Sequence, residues 1–221
     1  MYRGDGLNLY DYCKGNPVIW YDPSGYIIFY STYVERINVT RTGVPDPKTN
    51  VLKGRWVNGD GSEGVRGESK YIAIDHSPRA IEANRILREK GLDGIEYSHG
   101  VPNFRPASEY VLEIDEMVEH RYKTGGIDGN FERADRKLAE ELNREENRQH
   151  PLYQKMLSQQ GEITEKSIAE YRAKNKLTWH EENDLKTMNL VATEINGEFK
   201  HLGGVSETKK KNAGIKCHNE E

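Results

Sequence analysis

The strongest constraint on the fold is a change of hydrophobic period within residues 177–204. The stretch LTWH is typical of a strand, EEND of a turn and KTMNLV of a returning strand, whereas TEINGEFKH has the pattern of a helix with Thr193 as its N-cap. The sequence therefore predicts a β-hairpin followed by a helix. His180 lies at the end of the first predicted strand, and His201 lies near the end of the predicted helix.

A hairpin followed by a helix can bring polar side chains from both elements to one divalent cation. Such a metal stabilises charge on a scissile phosphate, while a neighbouring base activates the attacking water. Imidazole nitrogens suit zinc or another first-row metal, whereas carboxylates and water favour magnesium. The sequence predicts one divalent ion, Mg or Zn, and leaves the choice between them open.

The spacing of the helical residues leaves the ligand set open. Asn196 and His201 are five positions apart, which is about 140° around an ideal helix and so not one face. Both reach one ion only if the helix ends or distorts near Phe199. The alternative face carries Glu194, Glu198 and His201. On spacing alone, two separated histidines are more often structural than metal ligands.

The composition of the chain limits the size of the core and the classes of function. The 221 residues carry a net charge of −4, and 31% are charged against 35% hydrophobic. A mean hydropathy of −0.88 indicates a modest core with extended surface segments. No apolar run approaches the roughly 18 residues of a membrane span, and no signal peptide is evident. The two cysteines have no metal-binding spacing.

The basic residues cluster beside the hairpin and helix although the net charge is slightly acidic. Arg172 and Lys174 precede this region, and residues 209–211 follow it. Nucleic-acid backbones are bound through such cations. The predicted substrate-binding residues are Lys176, Lys186 and Lys200.

The remainder of the chain predicts both strands and helices, which makes the fold class α+β. Strands are predicted in residues 27–42 and in the stretches YIAID and GIEYSHGVPNF, the second of which leads into YVLEIDEM, and residues 43–67 are predicted to be loop-like. Helices are predicted from the Ser77 cap to Gly91, from Asn130 to about Glu146, and from the Thr164 cap to near Asn175. Trp179 and Phe199 are predicted to lie in the core.

The beginning of the chain resembles the end of the core of Rhs/YD-repeat proteins. The string DGLNLYDYCKGNPVIWYDPSGY carries the resemblance at residues 6–10, 16–17 and 22–25. The resemblance implies the tip of a large exported or cell-surface polymorphic toxin that acts in the cytoplasm of a target cell. Its parent Rhs/YD-repeat shell would be one partner. The resemblance does not indicate which chemistry the tip performs.

The region of the hairpin and helix resembles the WHH-type toxin nucleases of the HNH/endonuclease VII superfamily, whose usual form is near TWHHHEDGKTMQLVPTDLHNAVPHTGG. Upstream, GRWVNGDGSEGVRGESKYI and GIEYSHGVPNF are similar to the lead-in of a subgroup in Gram-positive toxins, so the resemblance spans most of residues 50–207. The residues in register, without a gap, are Trp179-His180, Lys186-Thr187-Met188, Leu190-Val191, His201 and Gly203-Gly204.

This second resemblance implies a ββα-metal (His-Me finger) unit with its own catalytic and metal-binding residues. In the family the first of two paired histidines ligates the metal and the second is the general base. His180 matches the first and Glu181 replaces the second, while Asn196 replaces a helical histidine and His201 matches the last one. Related tryptophan-His-Glu forms make these departures a subfamily variant. Either Glu181 is the base, or it is a ligand and His180 is the base. The implied catalytic residues are His180, Glu181 and Asn196, and the implied metal ligands are His180 and His201.

The predicted function is a metal-dependent endonuclease toxin that hydrolyses the DNA of a competing bacterium. A cognate immunity protein would protect the producer. The alternatives are an RNase toxin of the same fold and a degenerate, non-catalytic cassette that acts only as a binding module. The predicted division of the chain is an Rhs-type leader (1–26), an α+β region that packs on the nuclease (27–150) and the nuclease unit (151–221).

Overall fold

The computed structural model describes residues 52–200, 205, 208–209 and 211–212. The Rhs-type segment, the strand predicted in residues 27–42 and His201 lie outside the described residues. The described part contains both strands and helices, with runs of strands and runs of helices, so the predicted α+β class is confirmed.

The strands form two antiparallel sheets. The first sheet has the order β1-β2-β3-β4, and the second has the order β5-β7-β6. The first sheet contains β1 (Gly54–Val57), β2 (Lys70–Ala73), β3 (Ile95–Ser98) and β4 (Val101–Pro102). The second contains β5 (Tyr110–Glu113), β6 (Leu177–Glu181) and β7 (Thr187–Ala192).

Five α-helices accompany the sheets in the described part of the chain. They are α1 (Pro78–Glu89), α2 (Asn130–Leu142), α3 (Pro151–Gln160), α4 (Glu165–Lys174) and α5 (Thr193–Glu198). Short 3-10 turns occupy Arg105–Ala107 and Glu145–Asn147.

The N-cap residues predicted for α1 and α4 are confirmed. The Ser77 hydroxyl accepts from the Ala80 backbone N–H at 3.1 Å, and Pro78 is the first residue of α1. Thr164 caps α4 by accepting from the Ser167 N–H at 3.1 Å. Both caps satisfy backbone donors that have no partner inside the helix.

Three elements differ from the predictions. Helix α2 ends at Leu142 instead of continuing to Glu146, and α3 was not predicted. Strand β1 lies in the region predicted to be loop-like, where it pairs with β2. A Cβ at Gly54 would lie 2.4 Å from the Ile72 carbonyl oxygen, so this glycine permits close strand approach.

Strand β7 is the centre of the described fold, and all six of its residues are buried. Met188 and Leu190 face a core formed mainly with α2 and α4, which also contains Trp179. Val191 faces a second core, which contains Phe199 and residues of α1 and the first sheet. Because successive strand residues point to opposite faces, the residues of β6 are divided between these two environments. The predicted core positions of Trp179 and Phe199 are confirmed.

The second sheet joins distant parts of the sequence. Strand β5 pairs with β7 over four residue pairs, and α2 and α4 pack together beneath the sheet. The segment around residues 110–142 therefore packs directly on the hairpin. The proposed division of the chain at residue 151 stays a prediction.

Candidate active site at the end of strand β6

The predicted hairpin and helix are present. Strand β6 pairs with β7 so that His180 lies opposite Asn189, and α5 follows β7 directly. The helix ends at Glu198 with Phe199 as its C-cap, so Phe199 and Lys200, which were predicted to be helical, lie beyond it. An end near Phe199 is the condition for Asn196 and His201 to reach one ion. The prediction of Thr193 as N-cap is wrong, since Ala192 occupies that position and no side chain caps the helix. The Thr193 N–H instead donates to the Lys176 carbonyl at 2.9 Å.

His180 is held in one orientation between β6 and α5. Its Nδ1 lies 2.8 Å from Asn196 Oδ1, and the amide oxygen can only accept, so Nδ1–H is the donor. This bond leaves the lone pair of the neutral ring on Nε2. The Phe104 ring packs edge-on against the imidazole at 4.5 Å between centroids.

The environment of His180 keeps its ring neutral at physiological pH. The side chain is buried, and this burial lowers the pKa of His180 to about 4. The bond to Asn196 opposes the shift, and the positive charge of Arg121 acts in the same direction as burial. A neutral imidazole with one nitrogen already bonded has the form in which histidines ligate metals.

Glu181 occupies the other face of the sheet from His180 and is almost completely buried, with its side chain 1% exposed. One carboxylate oxygen accepts from Arg121 Nε at 2.9 Å, and the other accepts from Asn130 Nδ2 at 2.7 Å. Arg121 extends outward from this contact, and its side chain is 54% exposed. Glu181, which the sequence predicts to be a general base or a metal ligand, therefore also anchors the partly exposed Arg121.

Among the described residues, the side chain that fits the predicted metal site is the imidazole of His180. Within residues 52–200 and the few described positions beyond, no three His, Cys, Asp or Glu side chains converge as a metal-binding group. His180 supplies an imidazole of suitable form, whereas Asn196 Oδ1 already accepts from His180. Asn196 thus orients the imidazole.

The alternative helical ligands have other partners. Glu198 lies 3.5 Å from His76 Nε2, and Glu194 lies 3.8 Å from Lys176 Nζ. Both carboxylates connect α5 to neighbouring elements.

The three predicted substrate lysines lie at different places. Lys186 precedes β7 at the end of the hairpin where Glu181 lies, so it is near the candidate site. Lys176 precedes β6, about 13 Å from His180 along the strand. Lys200 is exposed and follows α5 by two residues. Of the three, Lys186 is the one that the hairpin brings towards the end of β6.

A second polar network lies on the same face of the hairpin as His180, which is paired with Asn189 in the sheet. Asn189 Nδ2 donates to Glu182 Oε1 at 2.8 Å, and Arg105 Nε donates to the same oxygen at 3.2 Å. Arg105 is half-exposed, with 53% of its side chain accessible. This arginine and Arg121 place cations on opposite sides of the strand end.

Sequence reasoning missed Arg105, Arg121 and Asn130 because each meets the hairpin across a long stretch of chain. A signal for Arg121 was nevertheless present. The string RYKTGG places an arginine, an aromatic and a lysine directly before a Gly-Gly turn. Paired glycines predict a tight hairpin, and basic residues mixed with aromatics are typical of nucleic-acid contacts.

Comparison with known proteins supports a nuclease domain of the toxin class in this part of the chain. Residues 94–203, just under half of the chain, match the family described as the DNase/tRNase domain of colicin-like bacteriocins. The matched segment contains β5, β6, β7 and α5, and with them His180, Glu181 and Arg121. The match supports nuclease toxin activity on nucleic acid. No curated protein and no solved structure matches the chain. Across the described residues, no helix has the length and apolar character to cross a membrane.

Proposed function

We propose that the chain is a metal-dependent endonuclease that hydrolyses phosphodiester bonds of target-cell DNA. The observation that carries this proposal is the geometry of His180 inside the matched nuclease segment. The imidazole sits at the end of β6, its Nδ1–H is committed to Asn196, and its Nε2 carries the lone pair. The hairpin and helix around it have the order that the sequence resemblance implies.

In this proposal His180 and His201 hold one divalent metal. An imidazole donor favours zinc or another first-row metal over magnesium. When bound, such an ion supplies positive charge that stabilises the scissile phosphate as negative charge develops. Asn196 holds the His180 ring in the tautomer that directs Nε2 outward from the amide. A pKa of about 4 suits His180 to ligation more than to proton abstraction near pH 7.

The sequence leaves open whether Glu181 is the general base or a metal ligand. In either case Glu181 also has a positioning role. Its carboxylate is buried and contacts Arg121 and Asn130, so it fixes a guanidinium beside the strand end. Lys186 on the hairpin and Arg105, which reaches the hairpin through its contact with Glu182, add cations that would contact the backbone of a bound strand. Lys176 and Lys200 would contact more distant parts of that strand.

The two resemblances and the family match support a biological setting, which is also part of the proposal. The chain would be exported as part of a larger Rhs/YD-repeat toxin and act in the cytoplasm of a competing bacterium. A cognate immunity protein would bind it in the producing cell. The RNase and the non-catalytic cassette remain the rival functions.

The test is incubation of the purified chain with supercoiled plasmid and, separately, with total RNA. Each reaction is run in EDTA and with added Mg²⁺, Mn²⁺ or Zn²⁺. Plasmid cutting that requires a metal is the expected result. Cutting of RNA alone would replace the substrate with RNA. If neither is cut under any metal, the catalytic proposal is wrong and the binding-module alternative takes its place.

A further inference from the structure

We propose that residues 121–128, which we call the finger, bind a nucleic-acid strand with unpaired bases. Arg121 would donate to a phosphate, and Tyr122 would stack on an exposed base. The inference rests on the proposed function, since it assigns a substrate class to the same site. It concerns binding, however, so it can be measured when no bond is cut.

The finger is a tight β-hairpin with a fixed base. Thr124 and Ile127 exchange both backbone hydrogen bonds at 3.0 Å. Gly125 and Gly126 between them have φ values of 59° and 85°, as a two-residue hairpin turn requires. At the base, the Phe131 N–H donates to the Arg121 carbonyl at 2.9 Å. The finger therefore projects from the start of α2 with a defined backbone.

The base of the finger is attached to the candidate active site through Glu181. This carboxylate receives Arg121 from the outgoing arm and Asn130 from the end of the returning arm. Asn130 is completely buried and also bonds the backbone of Val118 through both ends of its amide. These contacts hold the finger beside the residue that follows His180.

Arg121 has the geometry of a phosphate-binding arginine. Of its side-chain nitrogens, only Nε is hydrogen-bonded among the described residues, to a carboxylate that is itself buried. The side chain is more than half exposed, so the terminal nitrogens are left towards solvent. A guanidinium presents these nitrogens as a rigid fork that matches two phosphate oxygens. The contact with Glu181 fixes the fork before a ligand arrives.

Tyr122 supplies the second contact and indicates the substrate class. The residue is 61% exposed, and its ring packs against Phe131 at 5.0 Å between centroids. One side of the ring is thus supported while the rest is open. Aromatic side chains in this position stack on bases with little sequence preference. In a duplex the base faces are covered by their neighbours, so an open aromatic ring favours an unpaired base.

Lys123 is exposed, yet it contributes little positive charge to the finger. Its ammonium lies 3.2 Å from Asp128 on the returning arm, which neutralises part of its charge. The phosphate contact is therefore assigned to Arg121, and the finger binds through hydrogen-bond geometry and stacking more than through excess positive charge.

The experiment measures binding by fluorescence anisotropy in EDTA, using the full chain with His180→Ala to prevent cutting. The probes are a labelled single-stranded DNA oligonucleotide and the same sequence as a duplex. Tyr122→Ala is expected to weaken single-strand binding about tenfold, in line with the loss of one stacked base, and to change duplex binding much less. Arg121→Lys, which keeps a cation beside Glu181, is expected to weaken binding to both probes several-fold.

Two exposed positions elsewhere provide matched controls. Lys166→Ala removes a cation on α4 that is 86% exposed, and Ile81→Ala removes an apolar side chain on α1 that is 48% exposed. Both controls should bind the probes as the parent does. The proposal is overturned if Tyr122→Ala binds single strands as tightly as the parent, which is also the result expected if the finger serves a protein partner. If Tyr122→Ala leaves single-strand binding unchanged while the parent cuts plasmid with a metal, the finger proposal is wrong and the nuclease proposal stands. If Tyr122→Ala weakens binding but the parent cuts neither substrate, the finger proposal stands and the nuclease proposal is wrong.

Discussion

His180 and Glu181 are neighbours in sequence, yet β6 directs their side chains to opposite faces of the sheet. His180 meets Asn196 of α5, and Glu181 meets Arg121 and Asn130 at the start of α2. The contact with Asn196 spans 16 positions and follows from a hairpin returning into a helix, so the sequence could suggest it. The partners of Glu181 lie 51 and 60 positions away. No local spacing predicts such contacts, because they depend on how α2 packs beneath the sheet.

Burial of His180 predicts a pH dependence of stability in the metal-free protein. The pKa of His180 falls from its usual 6.5 to about 4 in the folded chain. Between these values the unfolded chain binds a proton that the folded chain does not, so stability decreases as pH falls from about 6.5 towards 4. The loss attributable to this group is about 3 kcal/mol at pH 4.

Urea unfolding at several pH values in EDTA measures this effect. His180→Gln should show a weaker decrease in the free energy of unfolding over that range than the parent. His99→Asn, which removes an exposed imidazole, is the matched control. Equal slopes for His180→Gln and the parent would contradict the account of His180.

Asn196 is predicted to act through His180. Asn196→Ala removes the acceptor of the Nδ1–H bond and releases the ring orientation, so we expect cutting to slow about 10–100-fold. Asn196→Asp keeps an acceptor oxygen and should recover much of the rate. Initial rates of plasmid nicking measure both variants. A fully active Asn196→Ala protein would show that the bond has no role in the reaction.

A double-mutant cycle of Glu181 and Arg121 tests whether Glu181 anchors Arg121 or acts as the general base. If Glu181 anchors Arg121, then Glu181→Gln and Arg121→Lys each weaken single-strand binding, and the double variant is little worse than either. Anisotropy in EDTA supplies the four dissociation constants. Additive effects would argue against the anchor. A Glu181→Gln protein that binds normally but cuts slowly would instead favour the base.

At the level of elements, strong local signals predicted α1, α4 and the β6–β7 hairpin. Strand β1 was missed because the glycines in and around it are typical of loops, while its pairing with β2 is a tertiary contact. Helix α3 begins at Pro151 after a short 3-10 turn, and its weak amphipathic pattern gave no clear periodicity. The finger was signalled only by its Gly-Gly turn.

Gly129 tests the packing of the finger. A Cβ at this position would lie 2.5 Å from the carbonyl carbon of Arg121, which is backbone and cannot move independently. Gly129→Ala should therefore cost roughly 1–3 kcal/mol of stability and weaken single-strand binding. Urea unfolding and anisotropy measure the two effects. Gly59→Ala is the control, because a Cβ there meets nothing within 4 Å, and an unaffected Gly129→Ala protein would contradict the described base of the finger.

For the whole molecule, the sequence correctly indicated an α+β fold, whereas the position of the candidate site in the last part of the chain stays a prediction. Net charge gave little guidance, since Arg121 and Arg105 are single residues fixed by carboxylates, one of them the buried Glu181. The two cores share β7, so the first sheet and α1 support the end of α5 as well. Tyr71 of the first sheet packs edge-on against Phe199 at 6.1 Å between centroids. This packing between distant segments depends on the complete fold, and the sequence of residues 177–204 does not predict it.

The central claim is that phosphodiester hydrolysis depends on the imidazole at the end of β6. The most direct test compares initial rates of plasmid cutting by the parent and by His180→Ala at saturating metal, with circular dichroism to verify that both are folded. The account predicts metal-dependent cutting by the parent and a loss of at least 100-fold in the variant. A folded His180→Ala protein that cuts at the parent rate would place the active site elsewhere in the chain.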